Sequence, residues 1–239
     1  MPTRPKLSRI LLKLSGEVLA NEDGFGINAD KVSYLAQQIK PVYDSGVHIG
    51  LIIGAGNLFR GMKAASGGMD RVTGDYLGML ATIMNAISLQ DALEKEGIET
   101  RTLSAISVSQ ISEPFIRRRA LRHLDKNRVV IVAGGTGNPY FTTDTAAALR
   151  AKELKANVLL KGTKVDGVYD KDPFLHSDAV KYDEISYSEV LNKNIRIMDL
   201  TAITLCKENK LPIGILDIND KKNLKNFIFS SKIIGTTIT

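Results

Sequence analysis

GGTGNPYFTTD, residues 134 to 144, follows the apolar run Val129–Ala133 and leads into the helical pattern TAAALRAKELKA. Three glycines and three threonines in that place read as a strand, a polar loop and a helix N-terminus. Glycines let backbone N–H groups approach an anion closely, and the helix end behind them carries partial positive charge. The stretch is therefore a candidate phosphate or nucleotide seat. Any strand-to-helix connection also needs a glycine and a capping residue, so the reading depends on the other loops.

Those loops repeat the pattern. RILLKL at 9–14 has strand length and ends at Ser15 and Gly16, with Glu17 beyond and Lys13 at the strand end. Asn28 can cap a helix whose apolar face is Val32, Leu35, Ala36, Ile39 and Val42, and Gly46 stops it. VHIGLII at 47–53 is a buried strand that opens onto GAGNLFRG, a second glycine-rich turn carrying Arg60. A helix over about Tyr76–Leu93, with Asp75 near its start and Gly97 past its end, precedes a strand at Ile98–Leu103. A strand at Asn157–Leu160 delivers Lys161 and then TKVDGVYDKDP, too rich in turn residues for helix or strand. Ser186 and Glu189 have capping-box spacing, Asp199 can cap the next helix, and Leu211–Ile218 reads as a late strand. Ile233 and Ile234, with Ile238 beyond Gly235, read as an edge strand.

Strands alternating with helices predict an α/β protein, one domain over residues 1–239, with a mainly parallel sheet covered on both faces. In such sheets ligands lie beyond the carboxyl ends of the strands. The exits after Leu14, Ile53, Ala133 and Leu160 bring Lys13, Arg60, Asp144 and either Lys161 or Lys164 to one rim. That rim suits phosphoryl transfer, which needs positive charge on the migrating group and a clamp holding donor and acceptor in line. No GxxxxGK[ST] or GxGxxG occurs, which excludes a Walker-type NTPase and a simple dinucleotide binder.

Composition narrows the field. The 239 residues are 44% apolar and 24% charged, ample for a large core. The net charge of +6 admits nucleic acid as a partner, but the basic residues are scattered. Their one dense run, Arg117–Arg119 with Arg122, alternates with apolar residues as a solvated helix face does. Anionic small molecules fit as well. The lone Cys206 allows no disulfide within the chain and argues for a reducing, cytoplasmic setting. No apolar run is long enough for a membrane span. His48, His123 and His176 are far apart, so no metal-ligand spacing is seen and the histidines read as structural.

KLSGE (13–17), GAGNLFRG (54–61), TGDYLGMLAT (73–82), GGTGNPYFTTD (134–144) and KVDGVYDKDP (164–173) together closely resemble the bacterial uridylate (UMP) kinases of the amino acid kinase fold. The likeness covers nearly the whole chain, in the family's order. It implies ATP-dependent phosphorylation of UMP to UDP with Mg²⁺, the step feeding pyrimidine nucleotide synthesis, on a three-layer αβα fold assembled as a homohexamer.

It also implies roles for residues. Lys13, Leu14, Ser15 and Gly16 would hold ATP phosphates, with Lys13 stabilising the migrating phosphoryl. Gly56 and Arg60 would lie between the two nucleotides' phosphates, with Arg60 clamping that of UMP, and Lys164 would join Lys13, Arg60 and Asp144 in catalysis. Gly54 and Ala55 would complete the UMP phosphate seat, and Asp75 would accept from the ribose hydroxyls. Thr136, Gly137, Asn138, Pro139, Tyr140, Phe141, Thr142 and Thr143 would wrap UMP and read its base. Thr163, Tyr169 and Asp172 would hold the ATP nucleoside, and Asp144 would orient the catalytic lysines, unless it is merely a helix cap. The family's GTP activation and UTP inhibition carry over, the GTP response to Asn21, Glu22, Asp23, Gly24, Phe25 and Gly26. One departure is Ala55, where the family usually reads GGGN; its methyl is tolerable if φ is negative there. Two other readings remain: an amino acid kinase-fold enzyme acting on a carboxylate or carbamate, and a nucleotide-sensing protein that binds nucleic acid.

Overall fold

A computed structural model describes residues 7–60 and 67–239. Gly61, the last residue of the second glycine-rich turn, lies outside them. A nine-stranded sheet runs in the order β4-β3-β5-β2-β1-β6-β10-β11-β9. Its strands are β1 (Arg9–Leu14), β2 (His48–Ile53), β3 (Thr100–Ser104), β4 (Glu113–Pro114), β5 (Val129–Ala133), β6 (Val158–Thr163), β9 (Glu184–Ile185), β10 (Ile213–Asp217) and β11 (Thr236–Ile238). Every neighbouring pair is parallel except β10 with β11. The helices are α1 (Ala29–Asp44), α2 (Arg71–Lys95), α3 (Arg117–Asp125), α4 (Thr143–Glu153), α5 (Tyr187–Asn192), α6 (Leu200–Glu208) and α7 (Asn223–Phe229).

Alternation along the strands sorts the core into two layers, since successive side chains point to opposite faces. Ile10, Leu12 and Leu14 of β1 join Ile49, Leu51 and Ile53 of β2 beneath α1, α2 and α7. Leu11, Ile52, Val130 and Val132 face the other way, onto α3, α4, α5 and α6. Strands buried on both faces read as unbroken apolar runs, which is why β1, β2 and β5 are visible in the sequence.

Several elements differ from the sequence reading. Helix α2 begins at Arg71, where the Asp70 carboxylate accepts from the Thr73 N–H at 2.8 Å, so Asp75 lies inside the helix. Gly74 and Gly78, poor helix formers, conceal that start. Strand β11 is not an edge; it sits between β10 and the two-residue β9, and Ile233 and Ile234 precede it. Gly235, at φ 71°, makes the turn into it. Within TKVDGVYDKDP, Val168–Tyr169 (β7) pairs antiparallel with Lys181–Tyr182 (β8), a ladder too short to show a period. Asp144 does not cap α4: the Thr142 hydroxyl accepts from the Asp144 and Thr145 N–H groups, freeing the Asp144 carboxylate for other work.

Candidate active site

Lys13 and Lys161 are register partners on adjacent parallel strands. Each follows by two residues a leucine of the α4-side core, Leu11 and Leu159, so both side chains rise on the face that α4 covers. The first turn of α4 places Asp144 between them. Lys13 Nζ is 2.7 Å from Asp144 Oδ1, and Lys161 Nζ is 2.9 Å from Oδ2. Lys161 also donates to the Ile197 carbonyl. The Lys13 contact is an ion pair off the hydrogen-bonding direction, leaving Oδ1 buried without an aligned donor.

Burial pushes the Asp144 carboxyl upward, but the ammonium groups of Lys13 and then Lys161 outweigh it and hold the acid below the ordinary aspartate range. Burial lowers Lys161 below the ordinary lysine range, with Asp144 opposing. The product is a largely buried, charged, cation-rich cluster.

On one side lies a cavity of about 350 Å³ lined by Ala55, Gly56, Arg60, Asp75, Thr136 and Phe141–Thr143 among others. Asp75 accepts from Arg71 Nε with both oxygens at 2.9 Å, and from the Tyr140 N–H at 2.7 Å, which pins the loop to α2. Gly137, Asn138, Pro139 and Tyr140 form the outer turn of that loop and are not among the lining residues. Tyr140 sits at φ 70°, and Thr136 Oγ1 bridges to both Asn138 backbone groups. The buried Arg150 donates to the Thr136 carbonyl at 3.3 Å and lies over the Phe115 ring at 4.1 Å. Ala55 has no positive φ, so its methyl group is tolerated.

On the other side a cavity of about 660 Å³ is lined by Lys161, Thr163, Tyr169, Asp172, Phe174 and Ile197 among others. The Tyr169 hydroxyl donates to Asp166 at 2.6 Å, and Asp172 accepts from the Phe174 N–H. Lys164 stands apart from the Lys13–Asp144–Lys161 cluster. Its ammonium is 3.4 Å from Glu17, whose other oxygen pairs with Arg60, and Arg60 Nε donates to the Gly56 carbonyl at 3.2 Å. Beneath them a third cavity of about 600 Å³ takes in Asn21, Glu22 and Gly24, while Asp23, Phe25 and Gly26 do not line it.

The sequence model of the amino acid kinase family matches residues 8–217. Two solved UMP kinases share the whole architecture: that of Bacillus anthracis, at TM-score 0.95 and 34% identity over 98% of this chain and 97% of its own, and that of Ureaplasma parvum, at 0.92 and 33% over 98% and 100%. A uridylate kinase from Archaeoglobus fulgidus follows at 0.73 and 29%, over 96% and 99%. The chain belongs to the amino acid kinase family.

In this member of the family, no group of three His, Cys, Asp or Glu converges as a metal cage among the described residues. Lysines, an arginine and loop N–H groups are partners for phosphate oxygens. With this donor set a Mg²⁺ ion would enter with a nucleotide, whose phosphate oxygens would hold it. Several groups in the amino acid kinase site escaped the sequence reading because their sequence distance hides them. Asp199 accepts from the Thr142 and Thr145 hydroxyls while capping α6, and Thr82 Oγ1 accepts from the Gly134 N–H at 2.9 Å. Glu17 was visible only as the end of KLSGE, with nothing to signal its place between Arg60 and Lys164.

Proposed function

We propose that this protein transfers the γ-phosphoryl group of Mg·ATP to UMP, giving UDP and ADP. The observation that carries the reading is the Lys13–Asp144–Lys161 cluster, of which Lys161 lines the 660 Å³ cavity while Asp144 directly follows Thr143 of the 350 Å³ one. A UMP phosphate oxygen attacks the γ-phosphorus in line, and the bond from that phosphorus to the β–γ bridging oxygen breaks. Lys13, with Leu14, Ser15 and Gly16, takes the donor phosphates, and Lys161 supplies the second charge on the migrating group. Asp144 orients both ammonium groups without touching a reacting atom. Mg²⁺ entering with ATP would neutralise charge on the triphosphate.

Arg60, with Ala55 and Gly56, clamps the UMP phosphate, Gly54 anchors that turn with its N–H on the Leu14 carbonyl, and Asp75 receives the ribose hydroxyls. Thr136 and Phe141–Thr143, carried by the outer turn Gly137–Tyr140, read the base, rejecting wrong ones by leaving polar groups unpaired. Thr163, Tyr169 and Asp172 hold the ATP nucleoside. Lys164 serves at the rim, with Arg60 and Glu17. GTP activation and UTP inhibition belong to the same reading, with the Asn21–Gly26 segment in the GTP response. A cytoplasmic homohexamer completes it, and the exposed apolar stripe Tyr76, Leu77, Leu80 and Met84 on α2 suits a subunit contact. Among the described residues, no helix is long and apolar enough to cross a membrane.

The deciding experiment is ADP release from Mg·ATP with UMP, CMP, dUMP, aspartate, glutamate and carbamate as acceptors, with and without GTP. UMP-selective turnover is expected. Turnover only with a carboxylate or carbamate would overturn the acceptor, and none with any acceptor would overturn the enzyme reading.

A further inference from the structure

Beneath the two phosphate-facing loops, Asn57 and Asn85 form a reciprocal carboxamide pair, 1% and 0% exposed. Asn85 Nδ2 donates to Asn57 Oδ1 and to the Gly54 carbonyl, both at 2.8 Å. Asn57 Nδ2 donates to Asn85 Oδ1 at 3.0 Å and to the Gly26 carbonyl at 2.8 Å. All four amide hydrogens are used. The Asn57 backbone carbonyl accepts from the Gly26 N–H at 2.9 Å, so Gly26 is gripped from both sides.

The position of the pair matters more than its strength. Gly54 is the first residue past β2, and its carbonyl lies beyond the strand's last ladder pair. A buried carbonyl there needs a donor from elsewhere, and α2 supplies it through Asn85. A Cβ placed on Gly16 would stand 2.3 Å from Asn57 Oδ1, 2.5 Å from the Gly54 carbonyl oxygen and 2.9 Å from the Gly56 nitrogen. The KLSG turn and the GAGN turn are therefore pressed together across this one amide layer. Neither asparagine lines the three cavities described above, and both carboxamides are buried with their amide hydrogens spent on each other and on backbone carbonyls. A fully satisfied polar network inside an apolar core fixes one arrangement of the backbone around it.

We propose that Asn57 and Asn85 are positioning residues that hold the Gly54–Gly56 and Ser15–Gly16 backbones in their phosphate-receiving arrangement, with Gly26 tied to the same layer. The inference rests on the phosphoryl-transfer reading above.

Asn85→Asp tests it with almost no change of volume. A buried neutral carboxyl keeps one donor, whereas the ionised form turns only acceptors toward the Gly54 carbonyl and Asn57 Oδ1. The KM for UMP and the Kd for a non-hydrolysable Mg·ATP analogue should each rise about tenfold or more. The defect should deepen as pH rises from about 6 to 9 while the acid ionises. Preference for UMP over CMP should stay, because the 136–143 loop is untouched. Asn57→Asp, which loses the donor to Gly26, should raise the same two constants and serves if Asn85→Asp does not fold. Unchanged KM and Kd with only a smaller active fraction would overturn the proposal. Failure of both variants to fold would also overturn it, assigning the pair to folding alone. Wild type that binds the analogue but phosphorylates no UMP would remove the UMP kinase reading separately, with the pair still scored by analogue affinity.

Discussion

Replacing Asp144 by Asn removes one negative charge from between two ammonium groups while keeping the side chain's size. Lys13 and Lys161 stand 2.7 and 2.9 Å from the carboxylate, whose side chain is 15% exposed. Unit charges about 3 Å apart interact by roughly 5 kcal/mol at an effective dielectric constant of about 20. Much of that attraction offsets the cost of burying the ions, so the variant is left with two buried, mutually repelling cations and a loss of about 3 kcal/mol or more. The lysines then lose their aim. Misplaced charge on a migrating phosphoryl should lower kcat by about a hundredfold to a thousandfold. UMP affinity should change by less than about threefold, because the acceptor cavity is otherwise intact.

Two pH effects accompany the change. Burial already lowers Lys161, and Asp144 opposes it. Losing the carboxylate lowers Lys161 further, so the basic limb of kcat should move to lower pH. Asp144 itself is depressed in the folded state. Its contribution to stability is therefore present above the unfolded value of about 3.9 and disappears as pH falls through the folded value. The variant should lack that part of the acid transition. Steady-state kinetics from about pH 6 to 10 and calorimetric binding of UMP make the test, with thermal unfolding from about pH 7 to 2. A kcat within about threefold of wild type, with an unmoved basic limb, would refute the orienting role.

Three further outcomes are expected. Arg60→Ala should weaken UMP binding by about tenfold to a hundredfold, the worth of charge-assisted hydrogen bonds to a phosphate, and unchanged affinity by calorimetry would place the clamp elsewhere. Gly235→Ala should destabilise the protein, because its Cβ would lie 1.9 Å from the Ile215 carbonyl at a φ of 71°; an unchanged thermal midpoint would refute that account of the turn into β11. Burial pushes the Cys206 thiol up to about 12, so iodoacetamide at about pH 8 should label it only on unfolding. Labelling of the native protein at the rate of a free thiol would show that helix α6 opens.

Local chemistry made much of this protein readable from its sequence. The strands β1, β2 and β5 are apolar on both faces, so they appear as unbroken runs whatever packs on them. The caps Asn28, Ser186 and Asp199 act within one turn of their own helices, and each does so here. The glycine-rich stretches likewise begin where β2 and β5 end, as their composition predicts. All of these signals depend on residues within a few positions of one another.

Tertiary structure decided what depends on distant partners. Whether Lys161 or Lys164 joins Lys13 turns on register: Lys161 pairs with Lys13 across β1 and β6 on the α4 face, whereas Lys164, past the strand end, reaches Glu17. Asp144 could have been a cap or an orienting group by sequence alone, and Asp75 stood near the start of its helix; in the fold Thr142 caps α4 and Asp70 caps α2. The short strands β4, β7, β8 and β9 hold two residues each, and so carry no periodicity. The Asn57–Asn85 pair joins residues 28 apart to Gly26 and Gly54. A sequence records which groups can donate and accept; only the folded chain, by closing those distances, chooses their partners.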